Sequence, residues 1–579
     1  MTTLHAGRLT AVLDGVDLRY VKLGEVELVR RIYVAVRDRN WNTIPGMASE
    51  LEIDAQDDSF EVRFSIRHES HDTDFSWRGR IAGSPDGRIA FTMDGRADRD
   101  MLYNRIGFCV LQPPREYAGR PFRGVTPNGP VEGTLPLLVA PQGFENGVYV
   151  PIFPSVSRLE VDLENGPTAL FEFEGDLFET EDQRNWSDAS FKTYCTPLAL
   201  GFPRELKKGQ ALAQTVTVSA AGGADAAAER PPLRLDVGGP TGEHVPPVGL
   251  VLAAADPSEE ETALLRELAP AHLRVDLHVA DPGWLALLGR GLSQSHALGA
   301  ALELALFVRV GDDLEPLRDA LAGADVARVL VAPEGARTTT PEETTPPELV
   351  SYVRSALALD GVPVAGGTDM YFCELNRTRP HVDAMDGVFW SLNAQVHAFD
   401  DASVLETPEA QGDQVRTARS FAGGKPLFVG PVTLMRRTNV NATVADAEPD
   451  PPDPRQSTPF AAAWTAASAK HLSEQGAAAI TYFETTGARG VVDGGAAFPV
   501  HEVLAAASEL RGGEILACET TRPLELAGLA VRKDGATTLL TANLTPHPLT
   551  VELHGIIAAE TLELGPYELA RIDSRGETT

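Results

Sequence analysis

The chain has 579 residues, 43% of them hydrophobic and 23% charged, and its formal net charge is −32. The length predicts about three or four domains, and the acidic surplus excludes nucleic acid and anionic membrane surfaces as partners because both are negatively charged. No run of roughly 18 apolar residues predicts a membrane-spanning helix, and no basic stretch followed by an apolar run predicts a secretory signal.

Residues 1–218 carry short runs in which apolar and polar residues alternate, separated by turn signals such as SPDG and TPNG. Alternation with a period of two predicts strands with one buried face, and regularly spaced turns favour an antiparallel β-sandwich. The segment that follows contains AAGGADAAAERPP, which is small, polar and ends in proline. It predicts a linker over 219–244.

Residues 181–194, EDQRNWSDASFKTY, place six ionisable side chains and three aromatic rings in fourteen positions. Such density is typical either of a solvated turn or of part of a site. We favour the second interpretation, in which this segment belongs to the wall of the active site or to a domain interface. Asp182 and Asn185 are then candidates for substrate contacts.

From residue 245 to residue 512 apolar strands alternate with helical stretches such as PSEEETALLRELA (257–269) and PPELVSYVRSALA (346–358). This order predicts a (β/α)8 barrel of the TIM type, since no Gly-rich phosphate loop supports a doubly wound sheet. Residues 513–579 return to short strands and predict a small C-terminal β-domain. The eight predicted barrel strands are 248–255, 272–280, 302–310, 326–333, 362–370, 387–394, 426–434 and 477–485.

Active sites of such barrels lie at the carboxyl ends of the strands. In HLRVDLHV the apolar residues alternate, so Arg274, Asp276 and His278 should all point into the barrel. An inward row of charges is costly unless its members pair with one another or meet a ligand, and a purely structural ion pair is the competing interpretation. On the eighth strand, Tyr482 and Glu484 should share a face by the same argument.

Loops after the fifth and sixth strands add further polar side chains: Glu374, Asn376, Arg377, Asn393 and His397. Carboxylates and amides in this number suit a polyol-like substrate, because they bind adjacent hydroxyl groups while one carboxylate moves a proton. No GxSxG elbow, nucleophilic cysteine or metal-binding spacing stands out. We therefore expect neither a metal nor a cofactor.

Two hydrolytic mechanisms fit these residues. A glycosidase needs two carboxylates that flank the bond, such as Glu374 with Glu484, or Glu334 with either of them, but the end of the seventh strand has none. A lactonase needs one base and donors for the developing oxyanion. Glu374 or Glu484 can be that base, with Asn376, Arg377 or His397 as donors. The residues are also compatible with a carbohydrate-binding protein without catalysis and with a metal-dependent lactonase.

The stretches EDQRNWSDASFKTY, TDMYFCELNRTRP, NAQVHAFDDASVLETPEAQ and TYFETTGARG resemble the D-apionate lactonase family. The resemblance spans nearly the whole chain. It implies hydrolysis of D-apionolactone to D-apionate in the breakdown of the branched sugar apiose, and a small sugar lactone as the binding partner. Scattered cysteines indicate a cytoplasmic protein. Whether it forms a homo-oligomer stays open, and a TIM-barrel glycoside hydrolase is the second hypothesis.

Overall fold

The computed structural model of the protein describes residues 1–145, 148–164, 166–186, 188–223, 232–335, 344–437, 450–555 and 561–575. The chain divides into two compact units. The first comprises Met1–Arg184, Ala189–Arg230 and Ala442–Ala445, and the second comprises Asn185–Asp188, Pro231–Asn441 and Asp446–Thr579. None of the described helices combines the length and the hydrophobicity that crossing a membrane requires.

The first unit is built from two antiparallel sheets, as the alternating sequence predicts. Alternate side chains of both sheets fill one core, in which the rings of Phe91 and Phe108 meet edge to face at 4.9 Å. The described strands of one sheet are β1 (Thr2–Ala6), β2 (Leu9–Asp14), β3 (Asp17–Leu23), β4 (Val26–Asp38), β9 (Met101–Gln112), β16 (Glu179–Asp182), β17 (Phe191–Tyr194) and β18 (Arg204–Leu206). Those of the other are β5 (Gly46–Ala55), β6 (Phe60–Glu69), β7 (Asp74–Ser84), β8 (Arg88–Ala97), β10 (Pro121–Thr126), β11 (Gly129–Thr134), β14 (Arg158–Asp162), β15 (Thr168–Glu174) and β19 (Ala211–Ala221). A short helix, α1 (Pro114–Tyr117), and a hairpin of β12 (Phe144–Glu145) and β13 (Val148–Tyr149) complete this unit.

The second unit contains a closed parallel barrel, so the predicted fold class is confirmed. Its described strands pair in chain order, and the first and last strands pair with each other to close the ring. They are β21 (Val248–Val251), β22 (His272–His278), β23 (Ala301–Val308), β24 (Val326–Pro333), β25 (Val364–Gly367), β26 (Val388–Asn393), β27 (Leu427–Thr433) and β28 (Ala479–Thr486). Two short strands, β29 (Gly490–Asp493) and β30 (Ala496–Ala497), extend the sheet after β28.

Helices connect the barrel strands. They are α2 (Glu259–Leu268), α3 (Trp284–Leu298), α4 (Glu315–Ala320), α5 (Pro347–Leu357), α6 (Phe372–Arg377), α7 (Asp401–Glu406), α8 (Pro408–Phe421), α9 (Pro459–Glu474) and α10 (Pro499–Glu509). Helix α2 begins where Ser258 accepts a hydrogen bond from the backbone of Glu261, and the Glu261 carboxylate accepts one from the backbone of Ser258. This reciprocal pair satisfies two N–H groups that the first turn leaves unpaired. The predicted helices at 257–269 and 346–358 correspond to α2 and α5 and are confirmed.

The interior of the barrel follows the alternation of the sequence. On β23, Leu304 and Leu306 pack toward the helices in one cluster, whereas Ala305 and Phe307 belong to a second cluster inside the ring. Strand β22 is paired with β23 in register from His272↔Ala301 to His278↔Phe307. Its charged residues therefore share the inward face with Ala305 and Phe307, as predicted.

A buried polar network fills the amino end of the barrel. Glu303 Oε2 lies 2.6 Å from Arg328 Nη1, and Glu303 Oε1 accepts a hydrogen bond of 2.7 Å from Thr481. His272 Nε2 lies 2.8 Å from the same threonine hydroxyl. Burial lowers the pKa of His272 to about 4, so this imidazole is neutral at physiological pH. The network seals this end, since all four of these residues are buried.

A second sheet in the second unit corrects the predicted linker. Residues 234–244, expected within the linker 219–244, form β20 (Arg234–His244). This strand pairs antiparallel with β31 (Glu514–Thr520) and parallel with β34 (Leu549–Gly555). The alternating sequence LRLDV (233–237) directly follows the loop-like segment and was therefore assigned to the linker. Residues 224–231 of that segment lie outside the described residues. The remaining strands are β32 (Leu526–Lys533), β33 (Ala536–Asn543), β35 (Thr561–Leu564) and β36 (Leu569–Arg575).

The hairpin of β32 and β33 turns at Asp534 and Gly535, whose φ angles are 50° and 79°. Two successive positive φ values define the tight turn that Asp-Gly sequences favour. The sequence Lys533-Asp534-Gly535 therefore accounts for this hairpin.

Candidate active site

Four charged side chains meet at the carboxyl end of the barrel. Arg274 Nε donates to Asp276 Oδ1 at 2.7 Å, and Arg274 also pairs with Asp369, which follows β25. Arg437, which follows β27, pairs with Asp276 and donates to Asp369 Oδ1 at 3.3 Å. Two guanidinium groups and two carboxylates therefore alternate, and their charges cancel. We call these four residues the mouth quartet.

Asp276 and the two arginines of the quartet are held in their charged forms. Burial alone would raise the pKa of Asp276, but Arg274 and Arg437 together hold it well below the usual range. Burial would lower the pKa of Arg437, and the charges of Asp276 and Asp369 raise it instead. Arg274 also donates to the carbonyl of Gly430 at 2.8 Å, which fixes it against β27. Arg437 is 26% exposed, so it is the guanidinium of the quartet that a ligand can reach.

Glu484, at the end of β28, lies in a cleft that Arg437 and Arg489 also line. This cleft encloses about 420 Å³, including the space that opens to solvent. Burial raises the pKa of Glu484, while Arg489 and Arg437 lower it and Asp276 raises it. Within the part of the chain that the structure describes, the Glu484 carboxylate forms no hydrogen bond or ion pair. A half-buried carboxylate with a raised pKa and no partner is suited to taking a proton from a ligand.

The proline-rich segment after β27 contributes to the same cleft. Asp453 and Gln456 line it, and Asp453 accepts a hydrogen bond of 2.5 Å from the side chain of Gln395. Gln395 also donates to the carbonyl of Leu434 at 3.0 Å. The described part of this loop is thus held against the barrel. Residues 438–449 of the loop lie outside the described residues.

His278 also lies at the carboxyl end, as predicted. Its Nδ1 is 3.2 Å from Glu334 Oε2, and its ring stacks on Phe307 at 4.0 Å with an interplanar angle of 10°. Glu334 directly follows β24, which is where the sequence places it. The pair occupies one side of the mouth and leaves His278 30% exposed.

The short helix α6 carries Glu374, Asn376 and Arg377, and Glu374 is 3% exposed. Its Oε2 accepts a hydrogen bond of 3.2 Å from the backbone of Tyr371, so this carboxylate stabilises the first turn of its own helix. It is not among the residues that line the cleft around Glu484. Arg377 donates to the sulfur of Cys373, one turn earlier.

Residues 185–188 group with the barrel in the second unit. Asn185 accepts a hydrogen bond of 3.1 Å from Asn376, and Asp188 lies 2.6 Å from His397 Nδ1. The ring of Trp186 meets the imidazole of His397 edge to face at 5.4 Å. The dense charged and aromatic stretch is therefore no solvated turn, because two of its polar residues hold predicted site residues after β25 and β26.

Asn393 closes β26 on the inward face shared with Phe389. It is 1% exposed, and its oxygen accepts a hydrogen bond of 3.0 Å from the backbone of Gln395. Its Nδ2 is buried and has no partner among the described residues. An unpaired buried donor is costly, so a ligand acceptor is expected to lower the energy here.

Two predicted substrate contacts are corrected. Tyr482 and Glu484 do not share a face, because a bulge in β28 leaves Leu250 opposite Tyr482 and Val251 opposite Glu484. The hydroxyl of Tyr482 instead meets Ser468 of α9 at 2.9 Å. Asp182 is 3% exposed and pairs with Arg184 in the first unit, where both also bind backbone groups between residues 136 and 140. The buried pair fixes that segment.

Sequence reasoning overlooked Asp369 and gave Arg437 no role. Asp369 lies two residues after the end of β25. The predicted strand extended to residue 370, which placed Asp369 inside the strand and not at the mouth of the barrel. The available signal was a carboxylate immediately after a short Gly-Gly strand. Among the described residues no group of three or more His, Cys, Asp or Glu side chains is arranged to bind a metal ion.

Three domain models of one family match this sequence. The N-terminal domain of D-apionate lactonase matches residues 1–223, its TIM-barrel domain matches 248–512, and its C-terminal immunoglobulin-like domain matches 523–572. The chain belongs to the D-apionate lactonase family. The predicted resemblance is confirmed, and with it the prediction that the chain is a hydrolase.

A D-apionate lactonase from Brucella anthropi is 28% identical, over 99% of this chain and 96% of that protein. Among solved structures, a GH30 endoxylanase from Clostridium papyrosolvens C71 is 11% identical with a TM-score of 0.42. A family 51 alpha-L-arabinofuranosidase from Bifidobacterium longum is 12% identical with a TM-score of 0.42. Each of these two covers 60% of this chain and is itself covered completely.

Proposed function

We propose that the chain hydrolyses a sugar lactone, D-apionolactone, to the open-chain acid D-apionate, with Glu484 as the general base. Membership of the D-apionate lactonase family and the name of the Brucella relative support the substrate. The observation that carries the mechanism is the position of Glu484, a half-buried carboxylate without a partner among the described residues, in the cleft that Arg437 lines.

In the first step Glu484 takes a proton from a water molecule, and the oxygen of that water attacks the lactone carbonyl. The raised pKa of Glu484 makes the carboxylate a stronger base than an exposed glutamate. The carbonyl oxygen then carries a negative charge, and Arg437 donates to it. Asp276 and Asp369 hold the guanidinium of Arg437 in place before the substrate arrives, so little reorganisation accompanies the reaction.

In the second step the bond between the carbonyl carbon and the ring oxygen breaks. The ring oxygen leaves with the proton that Glu484 received, which yields a hydroxy acid and restores the carboxylate. One water is consumed and no other reactant is needed. The single base distinguishes this scheme from glycoside hydrolysis, which uses two carboxylates.

In this scheme Asn393 and His397 bind hydroxyl groups of the sugar, and other polar residues hold them and α6 in place. Asn393 offers the buried Nδ2 that lacks a protein acceptor among the described residues, and an amide donor of this kind discriminates strongly for a hydroxyl group. Asp188 orients the imidazole of His397 through Nδ1. Asn185 and Asn376 hold α6 in place from the other side. In this scheme Glu374 stabilises α6 and does not move protons.

The test measures acid release from D-apionolactone with a pH indicator, after subtraction of spontaneous opening. Glu484→Gln should lower kcat/KM by about 10²–10⁴-fold, the range that a general base contributes. The matched control is Glu502→Gln, an exposed glutamate on α10 of the same unit, which should leave the rate unchanged. The wild-type profile should fall on the acid side with a midpoint above the ordinary glutamate pKa, because the base must be ionised.

A wild-type rate in Glu484→Gln would remove Glu484 from this role. If Glu374→Gln alone abolished turnover in a variant that remains folded, the base would be Glu374. Cleavage of nitrophenyl glycosides without any lactone opening would contradict the proposed reaction and favour the glycosidase hypothesis.

A further inference from the structure

Two arginines of the first unit, Arg37 and Arg105, face each other and have no role in the proposed reaction. Strands β4 and β9 pair antiparallel, and in their register Arg37 stands directly opposite Arg105. Directly opposed residues of a ladder project on the same face, and like charges in such a pair destabilise it. The neighbouring residues Val36 and Ile106 belong to the sandwich core, so the two arginines lie on the other face of the sheet.

Neither guanidinium group has a carboxylate partner among the described residues. Arg37 donates one hydrogen bond of 3.3 Å, to the carbonyl of Trp41, and within the described residues it forms no ion pair. Arg105 is 5% exposed and donates no side-chain hydrogen bond to any described residue. Its Nε is completely buried without an acceptor. A buried cation that lacks acceptors costs several kcal/mol, and this chain has 82 acidic side chains from which a partner could come.

Aromatic rings contact Arg105 and leave its hydrogen-bonding edge unused. The guanidinium of Arg105 lies 3.9 Å from the ring centre of Tyr194 and 5.7 Å from that of Trp41. These contacts stabilise the charge through the ring faces, but they accept none of its in-plane N–H groups. The planar fork of N–H donors matches an oxyanion with two oxygens.

The nearest carboxylates are already engaged. Glu181 pairs with Lys192 and accepts a hydrogen bond of 3.2 Å from Gln142. Glu179 accepts hydrogen bonds from the Tyr194 hydroxyl at 2.7 Å and from the backbone of Leu198 at 2.8 Å. Lys192 therefore pairs with Glu181 directly, and Glu181 and Glu179 act on the two arginines only through space, so within the described part of the chain neither Arg37 nor Arg105 forms an ion pair.

We propose that Arg37 and Arg105 form a second binding site, which takes a small carboxylate or phosphate oxyanion. The size of the ligand follows from burial. A protein surface cannot reach a guanidinium that is 5% exposed, so the ligand has to be a small anion that approaches past Arg37, which is only partly buried. The site is independent of the barrel reaction, and its test does not use turnover.

The first experiment titrates the full-length chain with sodium gluconate, inorganic phosphate and the neutral polyol sorbitol by calorimetry. Gluconate or phosphate should bind at a saturable site that loses affinity with rising salt, and sorbitol should not compete. Binding of gluconate without phosphate would identify a carboxylate ligand, and the reverse would identify a phosphate. The absence of saturable binding of both anions would overturn the proposal.

Arg105→Met and Arg37→Met should each weaken this binding at least tenfold. The matched control is Arg88→Met, an exposed arginine of the same unit that pairs with Glu172 on the other sheet. Arg437→Met separates the two sites. If an anion also binds in the barrel mouth, this variant should lose that binding event and retain the one that depends on Arg105. Unchanged anion affinity in both Arg105→Met and Arg37→Met would overturn the proposal.

Thermal unfolding distinguishes a binding role from a structural one. Without added anion, Arg105→Met should unfold at the same or a higher temperature than the wild type, because the variant removes an unpaired buried charge. Phosphate or gluconate should raise the wild-type midpoint by several degrees and leave that of the variant unchanged. A variant that is strongly destabilised and still binds the anion would show that Arg105 serves the fold alone.

Discussion

At the amino end of the barrel, Glu303 is enclosed by Arg328, Thr481 and His272, and each carboxylate oxygen has a partner. At the carboxyl end the mouth quartet is equally well paired, but Glu484 beside it has no partner among the described residues. Both ends carry charged side chains on barrel strands: Glu303 and Arg328 at the amino end, and Arg274 and Asp276 at the carboxyl end. The pairing of charges alone therefore does not distinguish the two ends of the barrel. The carboxyl end differs in having, beside its paired framework, one carboxylate without a partner among the described residues.

The largest expected effect lies at the amino end. Glu303→Gln should lower the stability of the barrel by about 3–5 kcal/mol, because Arg328 then remains buried without a counter-charge. Urea unfolding of the second unit measures this, and kcat of the folded fraction should be unchanged. The control is Glu514→Gln, whose surface pair with Arg532 is worth less than about 1 kcal/mol. A loss of turnover without a loss of stability would mean that the two ends are not functionally distinct.

The next largest effect is expected at the carboxyl end of the barrel, for Arg437→Met. It should lower kcat/KM about 10²–10³-fold, the cost of removing one oxyanion donor, while Asp276 and Asp369 keep Arg274 as a partner. Arg436→Met provides the matched control, since this adjacent arginine pairs with Asp450 and is equally exposed. Equal losses in both variants would show that Arg437 has no particular role in catalysis.

The response of stability to pH sharpens the comparison. The pKa of His272 is lowered to about 4 in the folded chain, so the unfolded chain binds more protons between pH 6.5 and 4. The free energy of unfolding should therefore decrease as the pH is lowered from 6.5 to 4, by up to about 3 kcal/mol from this group. His272→Gln should flatten the slope in urea unfolding between pH 7 and 4. Parallel slopes for the two proteins would show that folding does not lower the pKa of His272.

The smallest effect concerns Tyr482. Tyr482→Phe should cost about 1 kcal/mol of stability through the lost hydrogen bond to Ser468, and kcat/KM should not change. Ser468→Ala should cost a similar amount, and the double variant should cost less than the sum because the two groups share one bond. A drop in kcat/KM in Tyr482→Phe would restore the predicted contact with the substrate.

The sequence by itself determined the barrel, the antiparallel first unit and the inward row of Arg274, Asp276 and His278. Periodicity decides these features, since the alternation of apolar residues dictates which face of a strand is buried. The motifs also identified the family correctly. The position of Glu484 at a strand end was predicted, and the structure adds that burial raises the pKa of its carboxyl group.

Only the tertiary structure decided which of these charges are paired. Arg437 meets Asp276 across 161 positions of the chain, and no local pattern encodes such a contact. A single bulge in β28 separates Tyr482 from Glu484, because one inserted residue reverses the face of every residue after it. For the same reason the density of charge in residues 181–194 could not reveal that Asp182 is buried with Arg184 while Asp188 holds His397. Pairing depends on distance in space, and the sequence records only distance along the chain.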